Sequence, residues 1–239
     1  MPLGEFDLIE RFFRRASPRD DVLLGVGDDA ALLEVPPGQA LVAATDTLVE
    51  GRHFLAGAPA DSVGHQALAV NLSDLAAMGA DPAWALLSLS LPDADPDWLQ
   101  RFSDGLFAVA GQHGVALVGG DTVRGPRVVT ITALGFVPAA LALRRDGARP
   151  GDLLYVSGWL GEAAAGLATL KSGAMVVSSD PLVRRYLFAE PRVALGHALR
   201  GRATAAMDVS DGLLGDLGKL CAASGAGARL DLERLPVSA

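Results

Sequence analysis

Apolar positions along the chain switch between two periods. In residues 5–16 (EFDLIERFFRRA), Phe6, Ile9, Phe12 and Phe13 recur on one face of a 3.6-residue repeat, which predicts a helix. Short apolar runs at 22–27, 30–35 and 40–46 read as strands, with Pro36-Pro37-Gly38 turning the chain between the last two. Residues 61–79 predict a helix with Asp61 as its cap. Residues 83–91 (AWALLSLSL) alternate as a strand that Pro92 stops. A second helix over 95–113 opens on Asp95 and Pro96, and strands follow at 115–119 and 127–137. Strands clustered early, with helices on one side of them, give an α+β unit built on a mixed sheet.

The turn-rich, basic stretch from Pro138 to Gly151 reads as a boundary between 1–137 and 138–239. Beyond it the pattern predicts a strand at 152–156, helices at 161–171 and 181–200, a strand at 204–209, a helix at 213–223 and a strand at 228–232. That alternation is α/β in type. It ends at Ala239 with no terminal helix to close it, so the second domain is expected to be incomplete.

Half of the 239 residues are hydrophobic, enough for a sizeable core. The net charge of −8 gives no bulk attraction for nucleic acid or an anionic membrane. A polyanionic ligand would have to be met by local cations or metal ions. The single cysteine, Cys221, excludes a disulfide framework and a cysteine-rich zinc site. It shares an apolar helical pattern with Leu217 and Leu220, the pattern of a packed thiol. Glu5 and Asp7 with no long apolar stretch exclude a signal peptide, and no apolar run reaches the ~18–20 residues of a membrane span. A cytoplasmic protein is expected.

Candidate chemistry lies in aspartates at the polar ends of apolar runs. Asp28 and Asp29 follow Gly27, Asp46 follows Leu41–Thr45, Asp121 follows Leu117–Gly120, and Asp208 and Asp211 follow Ala205–Met207. In α/β folds such strand ends carry the sites. Asp74 is different, set mid-helix among Leu72, Leu75, Ala76 and Ala77. An isolated acid of this kind usually caps a helix or shapes a turn. Several that converge repel one another, and divalent cations relieve that repulsion. Oxygen-only ligands favour Mg²⁺ or a similar hard ion over zinc.

Two nucleotide motifs are nearly present and both fail. Gly25-x-Gly27-x-x-Ala30 places Asp28 and Asp29 where a pyrophosphate needs bare N–H groups. Gly218-Lys219 lacks the Ser or Thr of a P-loop, since Leu220 stands there, and Leu213 replaces the first glycine. Gly119-Gly120-Asp121-Thr122 is either a tight turn or a backbone open to close approach by a phosphate or base. His53 is a possible phosphate donor, although a lone histidine is more often packed or solvated. Arg145 is a possible phosphate partner in a linker whose basic residues are usually only solvated.

Taken together and in order, these segments resemble the thiamine-monophosphate kinase family. The resemblance is carried by Gly4-Glu5-Phe6 with Leu8-Ile9, Gly27-Asp28-Asp29-Ala30, Thr45-Asp46-Thr47-Leu48-Val49 and Gly51-x-His53-Phe54. It continues through the run from Ala69 to Ala80 (AVNLSDLAAMGA), Gly119-Gly120-Asp121-Thr122 and Asp208-Val209-Ser210-Asp211-Gly212. The resemblance implies an amino-terminal domain that pairs with its copy in a homodimer, followed by an α/β domain. It implies transfer of phosphate from ATP to thiamine monophosphate, assisted by several Mg²⁺ ions and with no protein general base. By matching motifs, Asp29, Thr45, Asp46, Asp74, Asp121, Asp208 and Asp211 are expected as metal ligands. Gly120, Asp121, Arg145 and Ser210 are expected to contact the nucleotide, and His53 the substrate. Asp28 is expected only to shape its turn.

Two departures are visible. Ala44 stands where the family often has Ser, and family chains continue past Ala239 with an acid and an aromatic that hold the thiamine moiety. Two other readings stay open at this point. One is another ATP-using enzyme of the same superfamily, which includes aminoimidazole ribonucleotide synthetase and selenophosphate synthetase. The other is a metal- and nucleotide-binding module without turnover.

Overall fold

A four-stranded sheet organises the computed structural model, which describes residues 4–17, 19–172 and 180–238. Its strands are β3 (Gln39–Val49), β4 (Asp81–Leu91), β5 (Ala116–Arg124) and β6 (Val128–Pro138), in the order β3-β6-β4-β5. The pairs β3–β6 and β6–β4 are antiparallel and β4–β5 is parallel, so the sheet is mixed, as the pattern predicts. A small hairpin precedes it, made of β1 (Val22–Leu24) and β2 (Leu32–Leu33).

Helices α2 (Ala60–Ala77) and α3 (Pro96–His113) cover one face of the sheet. On β6, Val129, Ile131, Ala133 and Val137 point to that face and are buried, while Thr130 and Thr132 point away. The hairpin lies on the other face, where Val22, Ala31 and Leu33 pack around Trp84, Leu134 and Phe136. Asp21 fixes it there by accepting from Trp84 Nε1 at 3.0 Å while pairing with Arg19.

Capping explains the element ends. Asp95 accepts from the N–H groups of Asp97 and Trp98, Pro96 occupies the first turn of α3, and Gly114 closes it in the left-handed region. Helix α2 starts differently from the expectation. Pro59 precedes it without a side-chain cap, and Asp61 instead pairs with Arg101 of α3 at 2.8 Å. The two helices cross closely because glycines meet there. A Cβ at Gly64 would run into the carbonyl of Phe102, and one at Gly105 into the carbonyl of Asp61.

The amino-terminal helix is shorter than predicted: one turn, α1 (Glu5–Leu8), widens into a π-turn (Ile9–Phe13) that buries Phe12 and Phe13. The side chain of Phe6 lies outside the described residues.

After β6 the chain forms α4 (Glu162–Lys171), α5 (Pro181–Leu187), α6 (Val193–Leu199) and α7 (Leu213–Ser224). The expected helix over 181–200 is two helices, broken where Pro191 removes a backbone donor. The expected strands at 152–156, 204–209 and 228–232 do not form among the described residues. A strand needs a hydrogen-bonded neighbour, and these segments have none in register. Leu153 and Tyr155 accordingly stand 77% and 84% exposed.

Helix α6 docks this half onto α2. Arg200 and His197 both reach Asp81 at 2.9 Å, and Gly196 lies against the carbonyl of Ala76. The connecting segment is stitched in by Leu143 N–H to Met78 O at 3.0 Å and Ala206 N–H to Arg144 O at 2.9 Å.

Gly105→Ala is expected to force α2 and α3 apart and cost about 2–3 kcal/mol, the range of overpacking a full core. A urea titration checks it. The midpoint should fall with an unchanged slope, and an unshifted midpoint counts against the close crossing.

Candidate active site

Strand β3 splits neighbouring side chains between the two faces of the sheet. Asp46 stands opposite Ile131, a fully buried residue, so it points to the helix-covered face with Val42, Ala44 and Leu48. Thr45 points to the open face, where its Oγ1 donates to Ile131 O at 3.1 Å and lies 3.0 Å from Thr132 Oγ1.

Asp74 sits in the last turn of α2, whose apolar residues are packed on several sides. Burial, then the carboxylate of Asp208, then that of Asp46 push its carboxyl up to about 6, and Arg145 opposes them. Asp208 is raised as well, first by burial, then by Asp216, with Asp46 adding to it, while Arg145 and its own backbone N–H pull the other way. These four side chains therefore share one electrostatic neighbourhood. A cleft of about 200 Å³ opens there, lined by Val42–Ala44 of β3, Asp74 of α2, Met78 just after it, Arg145, Ala206 and Met207.

The two linker arginines behave differently. Arg144 is tied to Asp146 by bonds of 2.9 and 2.6 Å. Arg145 lines the cleft and makes no side-chain hydrogen bond or ion pair among the described residues. Its own carbonyl accepts from Ser224, which anchors the backbone and leaves the guanidinium available.

Other expected site residues lie elsewhere. Asp28 and Asp29 are exposed on the hairpin, which packs against the open face. Asp28 Oδ1 accepts from the Asp29 N–H at 2.8 Å and so closes the turn, while the Asp29 carboxylate has no partner among the described residues. Asp121 pairs in register with Ser88, in a row that continues through Thr130 to Thr47. Within one chain it therefore stands on the open face and on the opposite edge strand from Asp46. Gly120 has a φ of +148°, and a Cβ there would meet the backbone of Leu87, so the strand pairing itself demands glycine. His53 is exposed in the turn after β3, and its Nδ1 accepts from Val49 N–H at 3.0 Å. That bond places the ring proton on Nε2, which faces outward as a donor.

Asp211 and Ser210 are exposed at the entrance to α7. Behind them lies a residue that pattern reading passes over. Asp216 is 1% exposed, and it is the one buried residue of α7 among the described residues. Burial pushes its carboxyl up, but hydrogen bonds from Lys219 and from the Asp211 and Ser210 N–H groups outweigh that and hold it below the ordinary carboxylate range. The signal in the sequence is an acid three residues before a lysine within an otherwise apolar helical run.

The donor set suits a hard cation. Asp46, Asp74 and Asp208 offer only oxygens, and their like charges raise the carboxyls of Asp74 and Asp208 against the opposing charge of Arg145. Among the described residues, no group of three acids or histidines converges tightly enough to enclose an ion by itself.

Known proteins are similar to this chain in sequence and fold. The AIR synthase related protein family matches in two parts, its amino-terminal domain over residues 27–137 and its carboxy-terminal domain over 149–239. The thiamine-monophosphate kinase of Salmonella typhimurium is 51% identical over 242 residues, spanning 100% of this chain and 74% of that protein. The Escherichia coli K12 enzyme is 52% identical with the same coverage. The crystal structure of thiamine-monophosphate kinase from Stenotrophomonas maltophilia K279a superposes with a TM-score of 0.90 at 51% identity, covering 100% of this chain and 78% of that one. AaThiL complexed with AMPPCP and TMP gives a TM-score of 0.75 at 34% identity, over 80% of this chain and 63% of that one. The hydrogenase maturation protein HypE of E. coli shares the fold, with a TM-score of 0.75 at 22% identity over 97% of this chain and 72% of that one. This chain belongs to the thiamine-monophosphate kinase family, within the AIR synthase related proteins.

Proposed function

We propose that the chain phosphorylates thiamine monophosphate with ATP, giving thiamine diphosphate and ADP, and that it does so as a cytoplasmic homodimer. The observation that carries this reading is the shared electrostatic neighbourhood of Asp46, Asp74 and Asp208 with Arg145, beside a cleft that Asp74 and Arg145 line, in a chain 51% identical to a named kinase along its whole length. No helix among the described residues is long and apolar enough to cross a membrane.

Both reactants are polyanions, and the attacking phosphate oxygen is already ionised at neutral pH. The chemistry therefore needs charge neutralisation and in-line placement rather than a protein base. Magnesium ions, when bound, neutralise phosphate oxygens and stabilise the transferring group. We assign Asp46, Asp74 and Asp208 to hold them, together with Thr45, Asp29, Asp121 and Asp211. Arg145 offers its unpaired guanidinium, and Ser210 its hydroxyl, to the nucleotide, beside Gly120 and Asp121. His53 presents Nε2–H to the acceptor phosphate.

A second copy resolves the split of the acids between two faces. The hairpin packs at one end of the open face, and β3 is an edge strand 11 residues long whose outer side pairs with no strand among the described residues. Packing two open faces together would bring the Asp121 edge of one copy to the Asp46 edge of the other. We also assign the division of labour, with 1–137 forming the dimerising and metal-binding domain and 138–239 closing over the nucleotide.

Asp46→Asn and Asp121→Asn should each lower turnover by at least about 100-fold with the fold intact, since each removes a carboxylate assigned to hold the cations that neutralise the transferring phosphoryl group. The assay is ADP formation dependent on thiamine monophosphate, at saturating magnesium. ADP release that ignores the acceptor would sink the kinase reading. Light scattering should give twice the chain mass, and a monomer at micromolar concentration would refute the paired faces.

Asp74 makes a pH prediction. Its folded pKa of about 6 lies above the ordinary 3.8, so between those values the folded chain holds a proton that the unfolded chain releases. Its contribution to stability is complete below about pH 4 and is lost as pH rises toward 6 and above. The metal-free protein should lose thermal stability over that interval, and Asp74→Asn should flatten the loss. A variant profile parallel to that of the parent speaks against it.

A further inference from the structure

We infer that Asp216 is a positioning residue, whose buried carboxylate turns the Ser210–Asp211 backbone inward so that this loop meets the nucleotide with side chains rather than with backbone N–H groups. The inference rests on the reading above for what the loop touches, and on this chain's geometry for the anchor itself.

The ordinary N-terminus of a helix offers unpaired N–H groups to an anion. The loop leading into helix α7 turns two of its own N–H groups inward instead. Gly212 precedes the helix without a side-chain cap. In its place Asp216, one turn inside, reaches back. Its Oδ2 accepts from the N–H of Ser210 and the N–H of Asp211, both at 2.8 Å. Two consecutive N–H groups converging on one oxygen fix the intervening peptide, as in the nests that bind anions, but here the anion is the chain's own. Oδ1 accepts from Lys219 Nζ at 2.8 Å, and the same ammonium holds Asp211 Oδ2 at 2.5 Å. The buried charge is thus paired and fully hydrogen-bonded, the condition under which burial is tolerated.

With its donors taken inside, the loop presents its side chains outside. Ser210 and Asp211 are both exposed, and the Asp211 side chain is 69% so. Asp208, two residues before Ser210, turns toward Asp74 and Arg145. The anchor therefore sets where three of the expected ligand groups stand, without touching the ligand.

Two measurements test this on the chain itself. The first is amide hydrogen exchange without ligand. Ser210 and Asp211 should be protected in the parent and exchange at least about tenfold faster in Asp216→Ala, while β4 and α2 stay protected. The second is the affinity for a non-hydrolysable ATP analogue with magnesium. Asp216→Ala should weaken it by about tenfold or more. Asp216→Asn keeps an oxygen for both N–H groups and should stay within about threefold of the parent. Equal weakening by Ala and Asn, or none by Ala, overturns the positioning role. Fast exchange of both amides in the parent overturns the anchor, and it decides the matter even if Asp216→Ala does not fold. A parent that protects these amides but binds no analogue refutes the functional reading and leaves the anchor standing.

Discussion

Carboxylates drawn into one partly buried neighbourhood are the constraint on which the rest of this structure turns. Asp74 cannot move away, because its helix is buried against the sheet, against α3 through the glycine crossing, and against α6. Asp46 cannot turn away, because the pleat of β3 fixes its face. Asp208 is brought in by the docking of the second half of the chain, where Arg200 and His197 grip Asp81 and Ala206 bonds to Arg144. The fold thus opposes a local preference for solvation and separation, and the raised carboxyl of Asp74 records first its burial and then the neighbouring carboxylates. Such conflicts between local preference and global fold are expected at functional sites.

The edge strand β3 carries this logic across the sheet. Thr45 and Asp46 are adjacent in sequence and face opposite ways. The alternation of the pleat gives every strand side chains on both faces, and on β3 it sets Thr45 on one and Asp46 on the other. The acids therefore divide into an inner set on the helix side and an outer set, Asp29 and Asp121, on the open side. One chain does not unite them, and that is the physical ground for reading the open face as a surface that packs against another copy.

Helix α7 shows a related inversion. Its apolar Leu214 is 75% exposed while its acid Asp216 is 1% exposed. A helix that turns its charge inward is arranged around a hydrogen-bonding task rather than around hydrophobic burial. Arg144 and Arg145 make the same point on a smaller scale. Identical side chains in adjacent positions have different roles because one meets Asp146 and the other meets a cleft.

Much of this was legible in the residues. Period and capping determined α2, α3, β4 and β6 to within a residue or two, because those signals are local: Asp95 and Pro96 start a helix whatever surrounds it. The motifs around Asp46, Asp74 and Asp208 singled out residues that the fold gathers in one place. What the chain could not declare by itself was anything dependent on a distant partner. The strand-like segments at 152–156, 204–209 and 228–232 have strand composition but no strand ladder among the described residues, so propensity alone did not make them strands. Asp61 looks like a cap and is instead an ion-pair partner of Arg101, 40 residues away in sequence. Asp216 looks like an ordinary helix acid until the loop folds back over it. Residue identity and spacing thus determined the elements and the kind of chemistry available. Which carboxylates meet, and which face opposite ways, was decided only when strand register and helix docking fixed directions in space that one-dimensional spacing does not contain.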